Sequence, residues 1–223
     1  MAQPATKADR DPRESMNSMY KLTRHVYDAS RKFYLLGRDY LIQNLNAEAG
    51  EKVIEVGCGT ARNLVKMAYQ YPQTHFYGLD AADEMLKTAR QTLLRLQLAE
   101  RIPLIQGLAQ TFDPQVLMGT EDKPDKIVFS YVLSMIPDAN GAIDHALDIL
   151  KPGGEIHIVD FGNLEGQPAW FRGMLKKWLS LFHVHHDPKL LEYIRSIGAD
   201  NKADVNLQSL YKDYAYYAVI RKD

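Results

Sequence analysis

The 223-residue chain has a single cysteine, Cys58, and no long apolar run. One cysteine excludes an internal disulfide and fits a reducing compartment. No stretch approaches the roughly 20 apolar residues that span a bilayer, and the polar N-terminus lacks the apolar segment of a secretory signal. The formal net charge of -1 gives no bulk signal for nucleic-acid binding. We therefore expect a cytoplasmic protein with no nucleic-acid partner.

Clusters of metal-ligating residues are also scarce. The histidines at 183, 185 and 186 lie close together, but no carboxylate or cysteine set with ligand spacing accompanies them. We predict no metal site, and we expect these histidines to flank an interfacial helix, where partial protonation adds affinity for anionic lipid. Residues 1–15 are polar, which predicts a mobile tail, and the composition of 16–223 is that of one globular domain.

The central stretch of the chain is Val53–Asn63, in which β-favouring apolar residues run into Gly57 and Gly59 before a helix-compatible sequence. This order predicts a strand, a tight turn and a helix start, where glycines let the backbone turn sharply and approach a ligand. The third glycine of a dinucleotide fingerprint is replaced by Arg62, and the Gly-Lys-Ser/Thr end of a P-loop is absent. An acid, Glu55, instead stands two residues before the first glycine.

Strand and helix patterns alternate along the middle of the chain. The predicted strands cover 52–56, 75–80, 103–106, 126–133 and 155–160, and the predicted helices cover 63–71, 83–99 and 141–150. Such alternation predicts a parallel, doubly wound sheet, with Asp83 as the N-cap of the second helix. Residues 205–210 and 214–221 predict a C-terminal hairpin. Upstream, the pattern over 18–45 predicts two helices separated at Gly37.

The loop Glu55-x-Gly57-x-Gly59 resembles motif I of the class I S-adenosylmethionine-dependent methyltransferases. Asp80 at the end of the second strand and the turn Lys151-Pro152-Gly153-Gly154 have the spacing of that family, so the resemblance covers residues 52–160. It implies a Rossmann-like doubly wound, mostly parallel sheet with N-terminal lid helices over 16–48. It also implies S-adenosylmethionine as cofactor and S-adenosylhomocysteine as product.

The same resemblance implies the residues that bind the methyl donor. The glycine turn runs under the methionine part, and Asp80 can accept hydrogen bonds from both hydroxyls of a ribose, which NAD also carries. Arg38 is the arginine that we expect to face the ligand, because it follows a flexible glycine. The loop after the third strand lies beside the adenine, although Leu108 stands where the family often has Asp. The predicted donor-binding residues are Arg38, Glu55, Gly57, Cys58, Gly59, Thr60, Asp80, Ala81, Met85, Gly107, Leu108, Ala109 and Ser130.

The acceptor is predicted from segments outside these motifs. Residues 169–186 form a basic amphipathic pattern rich in Trp and Phe, with no acid between Glu165 and Asp187. This pattern is typical of an interfacial membrane helix, and also of a helix that covers a substrate cleft. The block Tyr27–Arg38 resembles the leading segment of the diacylglyceryl-homoserine N-methyltransferases of bacterial betaine-lipid synthesis, which convert a lipid-linked amine to a trimethylammonium. That resemblance implies a lipid substrate and a protein peripheral to the inner face of the membrane.

The predicted catalytic residues are Tyr27, Tyr131 and Asp160. Methyl transfer from a sulfonium is an in-line displacement, so the enzyme positions both partners while a base or water path removes the amine proton. The tyrosines are expected to line the amine site, because aromatic faces bind quaternary ammonium groups, and Asp160 is the leading base. The alternatives are a methyltransferase acting on a soluble small molecule or a quinone, and a nucleotide-binding oxidoreductase or catalytically silent ligand-binding module.

Overall fold

The computed structural model describes residues 35–180, 188–200 and 203–223, so Tyr27 and the histidines at 183–186 lie outside the described residues. The strands are β1 Lys52–Val56, β2 His75–Asp80, β3 Leu104–Gln106, β4 Lys126–Ser130, β5 Glu155–Phe161, β6 Ala203–Leu210 and β7 Ala215–Lys222. The helices are α1 Arg38–Gln43, α2 Arg62–Gln70, α3 Asp83–Arg95, α4 Pro114–Met118, α5 Ala139–Ile149, α6 Ala169–Ser180 and α7 Pro188–Ala199. None of these helices is both long and apolar enough to cross a membrane.

The seven strands form one sheet in the order β3-β2-β1-β4-β5-β7-β6. The first five strands of that order pair in parallel, whereas β7 runs antiparallel to both β5 and β6. The prediction of a doubly wound, mostly parallel sheet with a C-terminal hairpin is confirmed. The winding direction reverses between β1 and β4, which is where ligands bind in open α/β sheets.

Alternate residues of the central strands enter two separate hydrophobic cores. On β1, Val53 packs with the core under α1, α2 and α3, whereas Ile54 and Val56 pack with the core under α4, α5 and α7. Both faces of the parallel sheet are therefore covered, which explains why its strands read as nearly continuous apolar runs.

Local geometry corrects several predicted boundaries. Strand β4 ends at Ser130 because Tyr131 adopts φ +56°, a left-handed conformation that breaks the extended backbone. Asp83 is not an N-cap: Ala82 holds that position, and Asp83 forms an ion pair with Lys87 instead. The sequence interpretation also omitted α4 and α7. Helix α1 begins directly after Gly37, whose φ of +87° agrees with the predicted break.

Candidate functional site

The turn between β1 and α2 depends on its glycines. Gly57 has φ +71°, and a Cβ built there would lie 2.3 Å from Cγ2 of Val132, so no other residue fits without a rearrangement. The amides of Gly57 and Cys58 both donate to the carbonyl of Leu79, at 2.7 and 2.9 Å. The β1 turn is thus fastened to the end of β2.

The carboxylate of Asp80 forms a second link between these two strand ends. It accepts hydrogen bonds from the amides of Gly59 and Ala82, both at 2.8 Å. An ionised carboxylate can accept about four hydrogen bonds, so Asp80 can anchor the turn and serve ribose hydroxyls together.

Two cavities flank the glycine turn, and Gly57 and Gly59 line both of them. The first, of about 340 Å³, is mostly apolar and is lined by six predicted residues from the ends of β2, β3 and β4. The second, of about 640 Å³, is more polar and takes residues from α1, β1 and the glycine turn. The predicted residues of the first are Asp80, Ala81, Gly107, Leu108 and Ala109, together with Tyr131. Those of the second are Arg38, Glu55, Cys58, Thr60 and Ser130.

Glu55 provides an unused acceptor in the polar cavity. Its side chain is 1% exposed, and Oε1 accepts a hydrogen bond from Asn63 at 2.8 Å. Its Oε2 and the hydroxyl of Ser130 are buried without a hydrogen-bond partner in the described part of the chain. Burial raises the pKa of Glu55 to about 7, although the Asn63 hydrogen bond and the charge of Arg38 act in the opposite direction. Two orphaned polar atoms in one cavity fit a ligand that brings donors, such as an ammonium group.

Positive side chains border the same cavity. Arg38 is buried at the start of α1, and its Nε donates to the carbonyl of Leu35 at 3.2 Å. Arg62 and Lys66 on α2 both form ion pairs with Asp39, at 2.9 and 2.8 Å. A cavity that combines a buried carboxylate with a guanidinium fits the amino-acid end of S-adenosylmethionine, which is zwitterionic.

Tyr131 lies where the donor cavities meet the segment before α1. Its hydroxyl donates to the carbonyl of Leu36, and its ring stacks edge-on against Phe161 with centroids 4.7 Å apart. Burial raises the pKa of the Tyr131 phenol well above its usual value. The phenol is therefore a neutral donor that holds residues 35–37 against the site, and its part in catalysis stays a prediction.

Asp160 and Met85 line neither cavity. The carboxylate of Asp160 is buried and accepts hydrogen bonds from the amides of Ser134 and Phe161, at 3.1 and 2.8 Å. Burial raises its pKa to about 6. This placement gives Asp160 a positioning role under the turn that follows β4 and does not favour direct proton removal from an acceptor.

The sequence interpretation missed several residues that line the cavities. The loop after β4 was noted, but only its first two residues were chosen, whereas Val132–Asp138 supplies five more to the apolar cavity. Their position after a central strand was the available signal. Asn63 had no such signal, because its role depends on the buried oxygen of Glu55. The missed residues are Val132, Met135, Ile136, Pro137, Asp138 and Gln110 in the apolar cavity, and Leu35, Arg62, Asn63, Lys66, Thr88 and Thr92 in the polar one.

Comparison with known proteins agrees with this architecture. A family model described as "Methyltransferase domain" matches residues 47–216. A demethylmenaquinone methyltransferase of Listeria monocytogenes is 26% identical over 167 residues, which cover 74% of this chain and 68% of that protein.

Two solved structures share the fold. One is a putative S-adenosylmethionine-dependent methyltransferase of Methanococcus maripaludis, with TM-score 0.64 and 20% identity over 100% of this chain and 97% of that one. The other is phosphoethanolamine N-methyltransferase 2 of Haemonchus contortus in complex with S-adenosyl-L-methionine. It has TM-score 0.72 and 13% identity over 99% of this chain and 61% of that one.

Proposed function

Because the chain belongs to the methyltransferase-domain family and is an S-adenosylmethionine-dependent methyltransferase, we propose that its acceptor is the amine of a lipid-linked homoserine. The product of complete methylation is the trimethylammonium head group of a betaine lipid. This proposal concerns the acceptor and rests on segments outside the glycine turn.

The observation that carries the proposal is the position of the block that resembles the betaine-lipid enzymes. Its described end, residues 35–38, lies directly against the donor cavities. Leu36 accepts the hydrogen bond of Tyr131, and both Leu35 and Arg38 line the polar cavity. This position supports the proposal, because the end of a block that resembles one acceptor class borders the cavities that would hold the donor.

A line of aromatic rings supports an amine acceptor. From Tyr131 the rings continue to Phe161, then to Tyr214, and then to Phe171, with centroid separations of 4.7, 6.2 and 6.2 Å. Aromatic faces attract a quaternary ammonium by roughly 0.5–2 kcal/mol each. Tyr131 is the ring of this line that borders the apolar cavity, so its face would contact an increasingly methylated nitrogen, while Phe161, Tyr214 and Phe171 hold it in place from the core side.

The residues of the site position the partners. S-adenosylmethionine supplies an electrophilic methyl group on a sulfonium, which a neutral amine can displace. Glu55 and Ser130 would hold its ammonium group, Arg38 its carboxylate, and Asp80 its ribose hydroxyls. The apolar cavity would take the adenine, since its lining is mostly apolar.

A quinone is the second candidate acceptor, and the relatives favour it. The similar curated proteins are named demethylmenaquinone methyltransferases, at 26% identity. Both candidates are carried in membranes, so the same assay format serves for the two.

The test uses labelled S-adenosylmethionine and three vesicle preparations: one with diacylglyceryl-homoserine, one with demethylmenaquinone and one with neither. We expect label to enter the lipid extract of the first preparation, and Asp80→Ala to lose that transfer. Label entering only the quinone would replace the amine proposal. Retained S-adenosylhomocysteine binding with no labelled lipid in any preparation would overturn a lipid acceptor altogether.

A further inference from the structure

Four exposed apolar side chains come from three neighbouring segments. Trp170 and Met174, 72% and 56% exposed, lie four residues apart on α6 and so share one face of the helix. Tyr211 is exposed in the turn between β6 and β7, and Leu36 is exposed just before α1. We name these four side chains the docking rim. The other large apolar side chains exposed among the described residues are Tyr69, Leu94 and Val116, on α2, α3 and α4.

The three segments of the docking rim contact one another. The side-chain amide of Gln167, just before α6, donates to the carbonyls of Tyr211 and Lys212, at 2.7 and 2.9 Å. A Cβ built on Gly37 would lie 3.8 Å from the ring of Tyr211, so Leu36 is beside the same turn. The start of α6, the β6–β7 turn and the segment before α1 therefore form one continuous edge.

A neighbouring face of α6 anchors the helix. It is turned by about 100° around the helix axis and carries Phe171 and Leu175, also four residues apart, which pack against the core under α1, α2 and α3. The ring of Phe171 lies 6.2 Å from that of Tyr214 and 5.9 Å, edge-on, from that of Trp170. Trp170 therefore rests against Phe171 on one side, yet it and Met174 stay largely exposed.

Basic side chains accompany two segments of the docking rim. Lys177, three residues after Met174 on the same face of α6, and Lys212, next to Tyr211, are exposed. Arg172 lies on the other side of the helix, and the nearby acids are Glu165 and Asp213. The carboxylate of Asp213 accepts a hydrogen bond from the hydroxyl of Ser209. Between positions 166 and 186 the sequence holds three basic residues and no acid. Exposed Trp beside Lys and Arg is the composition of surfaces that bind at the interface of anionic membranes.

We propose that the docking rim binds the surface of an anionic bilayer, with Trp170, Met174 and Tyr211 entering the head-group region. In the docked molecule, the edge that carries Leu36 faces the lipid. The carbonyl of Leu36 accepts the hydrogen bond of Tyr131, which lines the apolar cavity. The inference rests on the proposed function in one respect, a membrane-held acceptor, and it applies to the amine and to the quinone alike.

The test is flotation of the full chain with phosphatidylglycerol-containing vesicles that carry no acceptor. We expect the wild type to float and the partition coefficient of W170E/M174E to fall about tenfold or more, because a charge replaces each inserted apolar side chain. Tyr211→Asn, which tolerates the left-handed backbone at this position, should weaken partition by a smaller factor. Binding of the wild type should also weaken at high salt.

The matched control is L94E/V116E, which changes two apolar side chains of similar exposure, 66% and 67%, on other helices. It should float like the wild type, and every variant should keep its affinity for S-adenosylhomocysteine in calorimetry. In a W178F background, where Trp170 is the remaining tryptophan, vesicles should shift the emission to shorter wavelength.

Two results would overturn the docking proposal. One is a wild type that stays in the soluble fraction, or a W170E/M174E variant that floats as well as the wild type. The other is a dimer in sedimentation that W170E/M174E abolishes while neither protein binds vesicles, which would assign the rim to a second copy of the chain. Because no acceptor is present, neither result depends on which lipid is methylated.

Discussion

At the scale of single residues, Glu55 combines burial with an unused hydrogen-bonding atom. Its second oxygen has no partner in the part of the chain that the structure describes, and its pKa is raised to about 7 by burial. In the free protein this carboxyl is therefore half protonated near neutral pH. A ligand ammonium requires the ionised form, so ligand binding and proton release are linked.

The first prediction concerns this linkage. The Kd for S-adenosylhomocysteine should rise by up to about tenfold per pH unit as pH falls below 7, because one proton must leave Glu55 on binding. Above pH 7 the Kd should become independent of pH. Calorimetry from pH 5.5 to 8.5 measures this dependence, and Glu55→Gln is the control, which should bind weakly at every pH. A wild type with a flat profile would show that Glu55 does not hold the ammonium.

The raised pKa of Glu55 also makes the stability of the free protein depend on pH. A carboxyl whose folded pKa lies above its unfolded value binds its proton more tightly when folded, so the free protein loses stability as pH rises from about 4.5 to about 7. At pH 8, Glu55→Gln should raise the free energy of unfolding of the free protein by ~2 kcal/mol.

The second prediction concerns Gly57. Gly57→Ala should lower stability by roughly 2–4 kcal/mol and abolish donor binding, because its Cβ would overlap Val132 and its backbone is left-handed. Val132→Ala in the same chain should recover part of the stability. Gly119→Ala is the control: its φ is +67° but nothing lies within 4 Å of the added atom. If Gly57→Ala and Gly119→Ala lowered stability equally, the left-handed backbone alone would explain the loss, and overlap with Val132 would not contribute.

Single-residue roles were predictable where they follow from chain position. Gly57, Asp80 and Ser130 lie at the ends of recognisable strands, so the sheet places them at the site whatever their neighbours are. The role of Val132 depends on its contact with Gly57, and that of Asn63 on its hydrogen bond to Glu55. No local sequence pattern predicts either contact. The position of Asp160 near the end of β5 was equally visible, yet its carboxylate is buried, accepts hydrogen bonds from two backbone amides and lines neither cavity.

At the scale of elements, Glu155 links three strands at the end of the sheet opposite the glycine turn. It begins β5, accepts a hydrogen bond from Lys126 of β4 at 3.0 Å, and pairs with Arg221 of β7. His157, two residues further on, lies 3.1 Å from the same carboxylate and contacts the hydroxyl of Tyr217 at 2.7 Å. The hydrogen bond from His157, joined by those from Arg221 and Lys126, lowers the pKa of Glu155 although partial burial raises it.

The third prediction follows from this network. A carboxyl whose folded pKa is depressed contributes stability that is present above its unfolded value of about 4.5 and is lost as pH falls further. Glu155→Gln should therefore lower the free energy of unfolding by ~2 kcal/mol at pH 7 and by less at pH 3. Urea unfolding at the two pH values measures the difference. Lys87→Gln, which breaks the exposed ion pairs with Asp83 and Glu84, should leave the free energy of unfolding nearly unchanged at both.

Element prediction succeeded where patterns were periodic and long. The strands β1 and β2 were predicted with their observed bounds, because a fully buried parallel strand reads as a continuous apolar run. The extension of β4 to residue 133 was wrong, since the left-handed backbone of Tyr131 depends on packing beside Gly57 and has no sequence signature. Helix α7 was missed although the sequence carries its signal: Leu190, Ile194 and Ile197 recur at helical spacing, and all three are buried in a core.

At the scale of the whole molecule, the reversal of strand order places the donor cavities between β1 and β4. The polar network of Glu155 occupies the opposite end of the same strands, whereas the docking rim lies at the carboxyl end of β5, beside the donor cavities. Variants of the Glu155 network can therefore be interpreted without large effects on donor binding or on the proposed membrane contact, while the latter two share residues 35–38.

The fourth prediction separates a methyl-donor site from a dinucleotide site. S-adenosylhomocysteine at 100 times its Kd should stabilise the folded protein by about 2.7 kcal/mol, which raises Tm by roughly 5–10 °C in a chain of this size. NAD at the same concentration should leave Tm unchanged. Asp80→Ala should reduce the shift, and differential scanning fluorimetry measures all three. A shift with NAD alone would contradict the assignment of the donor.

Residues 35–38 belong to the donor site and to the docking rim at once, since Arg38 lines a cavity and Leu36 is exposed beside Tyr211. Two binding events that share a segment are thermodynamically reciprocal. By whatever factor a bilayer changes the affinity for the methyl donor, the donor must change the affinity for the bilayer by the same factor. If the docking rim binds a bilayer as proposed, exchange of spent donor for fresh donor would also change the residence time of the protein on that bilayer whenever this factor differs from one.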